Sequence, residues 1–114
     1  MVVDEYSFGH ITIDGTAYTQ DVVILPEAVR SPWWREEGHE LRPADLDAVL
    51  ESAVDTLVIG TGYYGRMAVP EATRKALKDG GIEPLVARTE RATAELNRLA
   101  NTGACLAGAF HLTC

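Results

Sequence analysis

The stretch Thr56-Leu57-Val58-Ile59-Gly60-Thr61-Gly62-Tyr63-Tyr64-Gly65 constrains this chain more than any other. Apolar and β-branched residues run without polar relief and stop at glycines spaced G-x-G-x-x-G. An uninterrupted run of this kind suits a strand covered on both faces, and the glycines suit a loop that must turn tightly. A strand covered on both faces lies inside a parallel or mixed sheet flanked by helices, and the rest of the chain has to supply those neighbours.

A length of 114 residues with 46% hydrophobic content supports one core, so a single domain spanning 1–114 is expected. The 17 acids exceed the 10 Lys plus Arg, for a formal charge of -7, and the bases form no stripe. Nucleic acid is therefore not an expected partner. Met1-Val2-Val3-Asp4-Glu5 is acidic where a leader would be basic, and no apolar run reaches bilayer length, which predicts a cytoplasmic protein without membrane contact. Cys105 and Cys114 are too few for a disulfide framework or a thiolate zinc site, and no metal is expected.

From Phe8 to Leu25 the pattern is β throughout, with a hairpin at Asp14-Gly15, because both central residues of a type I′ turn need positive φ. Pro26 to Arg42 has no sustained period and reads as a long loop, a candidate functional surface. Pro43 opens a helix to about Ala53, with Leu46, Val49, Leu50 and Ala53 on one side. After the central strand a helix spans Pro70 to Lys78, with Ala72, Ala76 and Leu77 inward, and Ile82 to Ala87 forms a strand that holds Pro84 at its start or on an unpaired side. Thr89 caps a third helix reaching about Asn101, with Ala92, Leu96, Leu99 and Ala100 inward, and Ala104 to Phe110 is a buried strand. Strands separated by helices run parallel, so their carboxyl ends share an edge where open α/β sheets bind ligands. Gly60 to Gly65, Thr89-Glu90 and His111 to Cys114 should meet there, with the Pro26–Arg42 loop free to fold across.

The glycine pattern matches a dinucleotide fingerprint in letters, yet Arg66-Met67-Ala68-Val69 separate it from Pro70, where a helix starts. Without a helix N-terminus on the pyrophosphate the mechanism of that motif is missing, and no cofactor is expected. His111-x-x-Cys114 could be a metal pair, or Cys114 a nucleophile with His111 as its base, but residues i and i+3 of a strand face opposite sides, so the chain would have to bend; His39 could approach as a third partner. Trp33-Trp34 and Tyr63-Tyr64 place aromatics in two loops beside Arg35 and Arg66. One ring of each pair could cover the core while the other shields it, or the rings could form a partner-binding patch. Glu90 gains from the helix dipole and would compete with an anionic ligand at that terminus.

Trp34-Arg35, Leu57-Val58-Ile59-Gly60-Thr61-Gly62, Thr89-Glu90-x-Ala92, Asn97 and His111-Leu112-Thr113-Cys114 form an ordered set that resembles the Mth nine-three-eight domain family, domain of unknown function four-nine-eight. The resemblance covers about Phe8 to Cys114. It implies a three-layer α/β domain with a central mixed, mostly parallel sheet and an added N-terminal antiparallel β layer. It implies no reaction; the family includes an adipogenesis-associated protein and a mitochondrial complex I assembly factor.

Two functions follow as expectations. The first is a small cytoplasmic binding or assembly-factor-like protein that holds a protein partner through Trp33, Trp34, Arg35, Gly60, Gly62, Tyr63, Tyr64, Thr89, Glu90 and His111. The alternative is an enzyme acting on a small acidic substrate in a pocket near Arg35, His111 and Cys114. An enzyme needs a concave pocket with a perturbed titrating group, whereas a binder needs an exposed apolar patch. Gly62 is further expected at positive φ, and Cys105 buried inside the last strand.

Overall fold

The elements lie in a computed structural model that describes residues 2–114. The predicted central strand is β6, Thr56–Gly60, and it pairs in parallel with both β7, Glu83–Ala87, and β8, Leu106–Phe110. β4, Val22–Ile24, adds to β8 antiparallel, and β5, Val29–Arg30, adds to β4, giving the mixed order β5-β4-β8-β6-β7. Pro84 is tolerated because β7 is an edge strand.

A second, antiparallel sheet holds β1 (Val3–Ser7), β2 (His10–Ile13) and β3 (Thr16–Tyr18) in that order. Asp14 and Gly15 take φ of 48° and 82°, as their hairpin requires. β1 is a strand that the sequence pattern does not announce. Only Val3 among its residues is fully buried, and Asp4 and Glu5 face water, so the period of a covered strand is absent.

The alternation of side chains sorts the core into two clusters, one on each face of the large sheet. Leu57, Ile59, Val23, Ala107 and Ala109 face a layer built by the 3-10 turn Pro43–Leu46, the short helix α1 (Asp47–Leu50), α2 (Glu71–Asp79) and the indole of Trp33. Val58, Val22, Ile24 and Phe110 face α3 (Thr89–Ala100) and the small sheet, where Ile11, Ile13, Ala92 and Leu96 complete the packing. The result is the expected three-layer α/β fold with an N-terminal antiparallel β layer. Full burial of each large aliphatic residue contributes about 1.5–3 kcal/mol.

Several boundaries differ from the sequence reading. The first helix breaks into a 3-10 turn and a single α turn, and Ala53 is exposed beyond its end. In α2 the buried residues are Thr73 and Leu77, four apart, which turns Ala72 to solvent; the Thr73 hydroxyl is accommodated by donating to Leu41 O at 2.7 Å. Ala100, in the last turn of α3, is likewise exposed. The Pro26–Arg42 segment is not wholly irregular, since it contains β5 and a bridge from Glu40 to Ala68. Among the described residues no helix is long and apolar enough to cross a membrane.

Candidate functional site

The register of β6 and β8 pairs Gly60 with Phe110, so both strands end level and the segments that follow are brought together. His111 N donates to Gly60 O at 3.0 Å, Tyr63 N to Thr113 O at 2.6 Å and Arg66 N to Cys114 O at 2.9 Å. Gly62 has φ of 108°, and a Cβ there would lie 2.5 Å from Cys114 C. Backbone therefore runs against backbone where a side chain would stand, as expected for this glycine. The edge predicted from chain direction is real, and it is closed by hydrogen bonds.

Thr89 does not act as the cap predicted for it. Arg88 occupies the N-cap position of α3 without a side-chain capping bond, and Thr89, fully buried, is the first helical residue. Its hydroxyl accepts from Gly62 N at 2.9 Å and donates to His111 O at 2.6 Å, joining the loop after β6 to the segment after β8. Gly60 makes room for it, because a Cβ on Gly60 would lie 2.7 Å from Thr89 Oγ1.

Beneath this edge lies a charged cluster that sequence reasoning resolved only in part. Asp21 Oδ2 accepts from Arg35 Nη2 at 2.8 Å and from His111 Nδ1 at 2.7 Å, while Asp21 Oδ1 accepts from Leu112 N at 2.8 Å. Arg35 and His111 keep only 5% and 8% of their side-chain surfaces in solvent, so the carboxylate compensates charge that water cannot reach. Burial pushes the Asp21 carboxyl up, but the His111 and Leu112 hydrogen bonds, the His111 charge and the Arg35 contact outweigh it, and the net shift is downward from 3.8. Arg35 also donates to Gly38 O from Nε and Nη2, at 3.4 and 3.1 Å, and its guanidinium lies 4.7 Å above the Trp33 ring. Trp33 N donates to Asp21 O at 2.9 Å, which completes the fastening of the long loop.

His111 Nδ1 faces Asp21, which leaves Nε2 as the ring nitrogen turned away from the carboxylate. Nε2 is buried without a hydrogen-bond partner, and so is Arg35 Nη1. The His39 ring stands 6.0 Å from the His111 ring, near it as the sequence suggested. Cys114 is fastened elsewhere, its backbone held against Gly62 and Arg66, and Glu90 is exposed on the first turn of α3. Arg35 and His111 are thus joined by Asp21 rather than by Cys114. Nothing in the local sequence marks Asp21, which lies 90 positions from its histidine.

Concave space lies away from this cluster. A cavity of about 750 Å³ opens at the far end of the sheet, lined by Leu25, Arg30, Ser52, Cys105 and Leu106 among others. A smaller groove of about 270 Å³ runs between β7 and α3, beside Leu85, Ala87, Arg91 and Glu95. Cys105 is exposed at the first cavity, contrary to its predicted burial. β8 begins only at Leu106, and Cys105 serves through its carbonyl, which accepts from Asp55 N and Thr56 N.

The aromatic pairs divide unequally. Trp33 is buried and donates from Nε1 to Asp45 O at 3.0 Å, whereas Trp34 is 78% exposed. Trp33 is therefore a core residue, and of the two indoles Trp34 is the one that meets solvent. Tyr63 and Tyr64 are both exposed, at 42% and 56%, and they share their surface with Phe8, at 51%, from the turn between β1 and β2. The ring centroids are 5.0 Å apart for Tyr63–Tyr64, 5.8 Å for Phe8–Tyr63 and 6.1 Å for Phe8–Tyr64. Nothing in the sequence marks Phe8 for this surface, because its place beside the tyrosines is a tertiary fact; Gly9 N donates to Leu112 O at 2.9 Å and brings that turn to the edge.

Comparison with known proteins places these observations in a wider set. Residues 3–111 match the family model described as a protein of unknown function, DUF498/DUF598. A conserved hypothetical protein from Pyrococcus horikoshii, PH1505, is 27% identical, with all of both chains covered and a TM-score of 0.85. A structure named MT938 superposes with a TM-score of 0.83 at 23% identity, covering 99% of this chain and 98% of that one. One described as an outer membrane protein from Bartonella henselae gives 0.83 at 21% identity, covering 97% and 93%. The last two likenesses show a shared fold.

Proposed function

We propose, from the premise that this chain belongs to the family of unknown function DUF498/DUF598, that it is a small cytoplasmic binding or assembly-factor-like protein that holds a protein partner at the strand-end edge. One observation carries the reading: Phe8, Tyr63 and Tyr64 expose a contiguous set of rings on loops whose backbones are pinned to Leu112 and Thr113. Exposed aromatics on a rigid platform lose little entropy on binding, and Tyr is among the residues that dominate interface energies. In this reading the Asp21–Arg35–His111 cluster is the fastening that holds the long loop, with Trp34 at its surface.

The unpartnered Arg35 Nη1 and His111 Nε2 favour the alternative, an enzyme acting on a small acidic substrate, with arginine to orient the anion and histidine to move a proton. Both atoms are enclosed, and neither cavity is lined by Arg35, His111 or Cys114, so binding is the better supported use. The two readings part on one set of variants. Phe8→Ala and Tyr64→Ala should weaken capture of a defined partner by about 1–4 kcal/mol with melting unchanged. If His111→Gln instead abolishes a turnover while capture survives in every variant, the binding reading is wrong.

A further inference from the structure

We infer that the aromatic surface takes an acidic protein segment, one that sets an apolar or proline side chain on the rings and one or two carboxylates beside it. The inference rests on the binding reading above and adds the chemistry of the partner. It comes from two arginines at the rim. Arg88 lays its stem over Gly65, where a Cβ would lie 3.2 Å from Arg88 Cγ and 3.4 Å from its Nε, and Arg66 follows Gly65 directly. Both are exposed, and neither makes an ion pair or a side-chain hydrogen bond among the described residues.

Arg42 lies 3.2 Å from Glu36, Lys75 2.8 Å from Asp79 and Arg98 2.7 Å from Glu95, whereas Arg30, Lys78 and Arg91 are exposed and unpaired among the described residues like Arg66 and Arg88; what sets the latter two apart is their place beside the exposed rings. Glu90, also exposed, stands near Tyr6 at the same edge, and the two guanidinium groups share the rim with it. Guanidinium matches a carboxylate through paired N–H donors, and planar aromatic faces beside it accept extended apolar or proline residues.

A nucleic acid strand would also stack on such rings, but it needs a track of cations along its backbone. Arg66 and Arg88 are enough for one or two carboxylates, and the formal charge of -7 opposes a polyanion.

The test pans a phage-displayed library of random linear peptides on the folded, immobilised chain, then titrates the selected peptide by fluorescence anisotropy at low and high salt. Peptides enriched in Asp or Glu next to aromatic, Leu or Pro residues are expected. Arg66→Glu and Arg88→Glu should each weaken binding about tenfold or more, with added salt weakening it further. Tyr64→Ala should weaken it as well, and thermal melting checks that all three variants fold. Selected peptides that need Tyr64 but show no acidic enrichment, or ignore Arg88→Glu, overturn the acidic partner and leave the aromatic surface standing. No enrichment at all, or peptides indifferent to Tyr64→Ala, overturns the aromatic reading too. Tighter binding of a labelled oligothymidine strand than of the selected peptide transfers the surface to nucleic acid and also refutes the inference.

Discussion

Replacing Gly62 with alanine should destabilise this protein well beyond what its backbone angle alone demands. A φ of 108° lies outside the regions open to alanine, which costs about 1–3 kcal/mol. The added Cβ would also stand 2.5 Å from Cys114 C and 2.7 Å from the carbonyl oxygens of both Thr113 and Cys114, so the segment after β8 must retreat. Retreat loosens the bonds from Tyr63 N to Thr113 O and from Arg66 N to Cys114 O, each worth about 0.5–1.5 kcal/mol. Together these give about 2–6 kcal/mol, a large part of the 5–15 kcal/mol by which a typical domain is stable. Gly81 is the internal control: it has φ of 79° with nothing within 4 Å of its Cβ position, so Gly81→Ala feels the angle alone, about 1–2 kcal/mol. Thermal melting separates the two, since 1 kcal/mol moves the midpoint of a chain this size by roughly 4 °C. Gly62→Ala should melt several degrees below Gly81→Ala; equal midpoints would refute the close packing of the β6 loop on the last residues.

Asp21→Asn should cost about 3–5 kcal/mol, because it leaves the buried guanidinium of Arg35 without its counter-charge. The folded Asp21 carboxyl titrates below 3.8, so its contribution is fully present above about pH 4 and is lost as the pH falls through the lower folded value. Denaturant titrations across that range should show a shallower acid loss for Asp21→Asn than for the unmodified chain, and parallel curves would count against the cluster. Trp33→Ala should cost about 3–5 kcal/mol in urea unfolding, whereas Trp34→Ala should stay within about 0.5 kcal/mol, and similar losses for both would contradict their opposite burial. Cys105 should react with a maleimide in the native protein without denaturant, which mass spectrometry after proteolysis would localise; protection until unfolding would show that it is not exposed.

Much of the architecture is written locally. The apolar run ending at Gly60, the Asp14-Gly15 turn and the alternation of helix with strand all express a period or a dihedral requirement inside a short window. From that alternation the parallel direction of β6, β7 and β8 follows, and with it the meeting of Gly60–Gly65, Thr89 and His111–Cys114. The site was legible in part: Gly62 takes its positive φ, and Arg35 meets His111 as the enzyme alternative expected, though without Cys114, whereas the sequence left open whether one or both of Tyr63 and Tyr64 would face solvent.

The remainder was decided only when distant segments met. Trp33 and Trp34 are identical neighbours in sequence, and the choice of which one enters the core depends on Asp45 O for one indole N–H and on the Arg35 guanidinium above its ring. Thr89 reads as a cap until Gly62 and His111 compete for its hydroxyl, and Asp21 is one acid among 17 until Arg35 and His111 close on it. Phe8 becomes part of an aromatic surface only because the β1–β2 turn hydrogen-bonds to Leu112. Periodicity encodes which face of an element turns inward, because it repeats along the chain. The partner of a single polar or aromatic side chain does not repeat, so chain packing alone selects it.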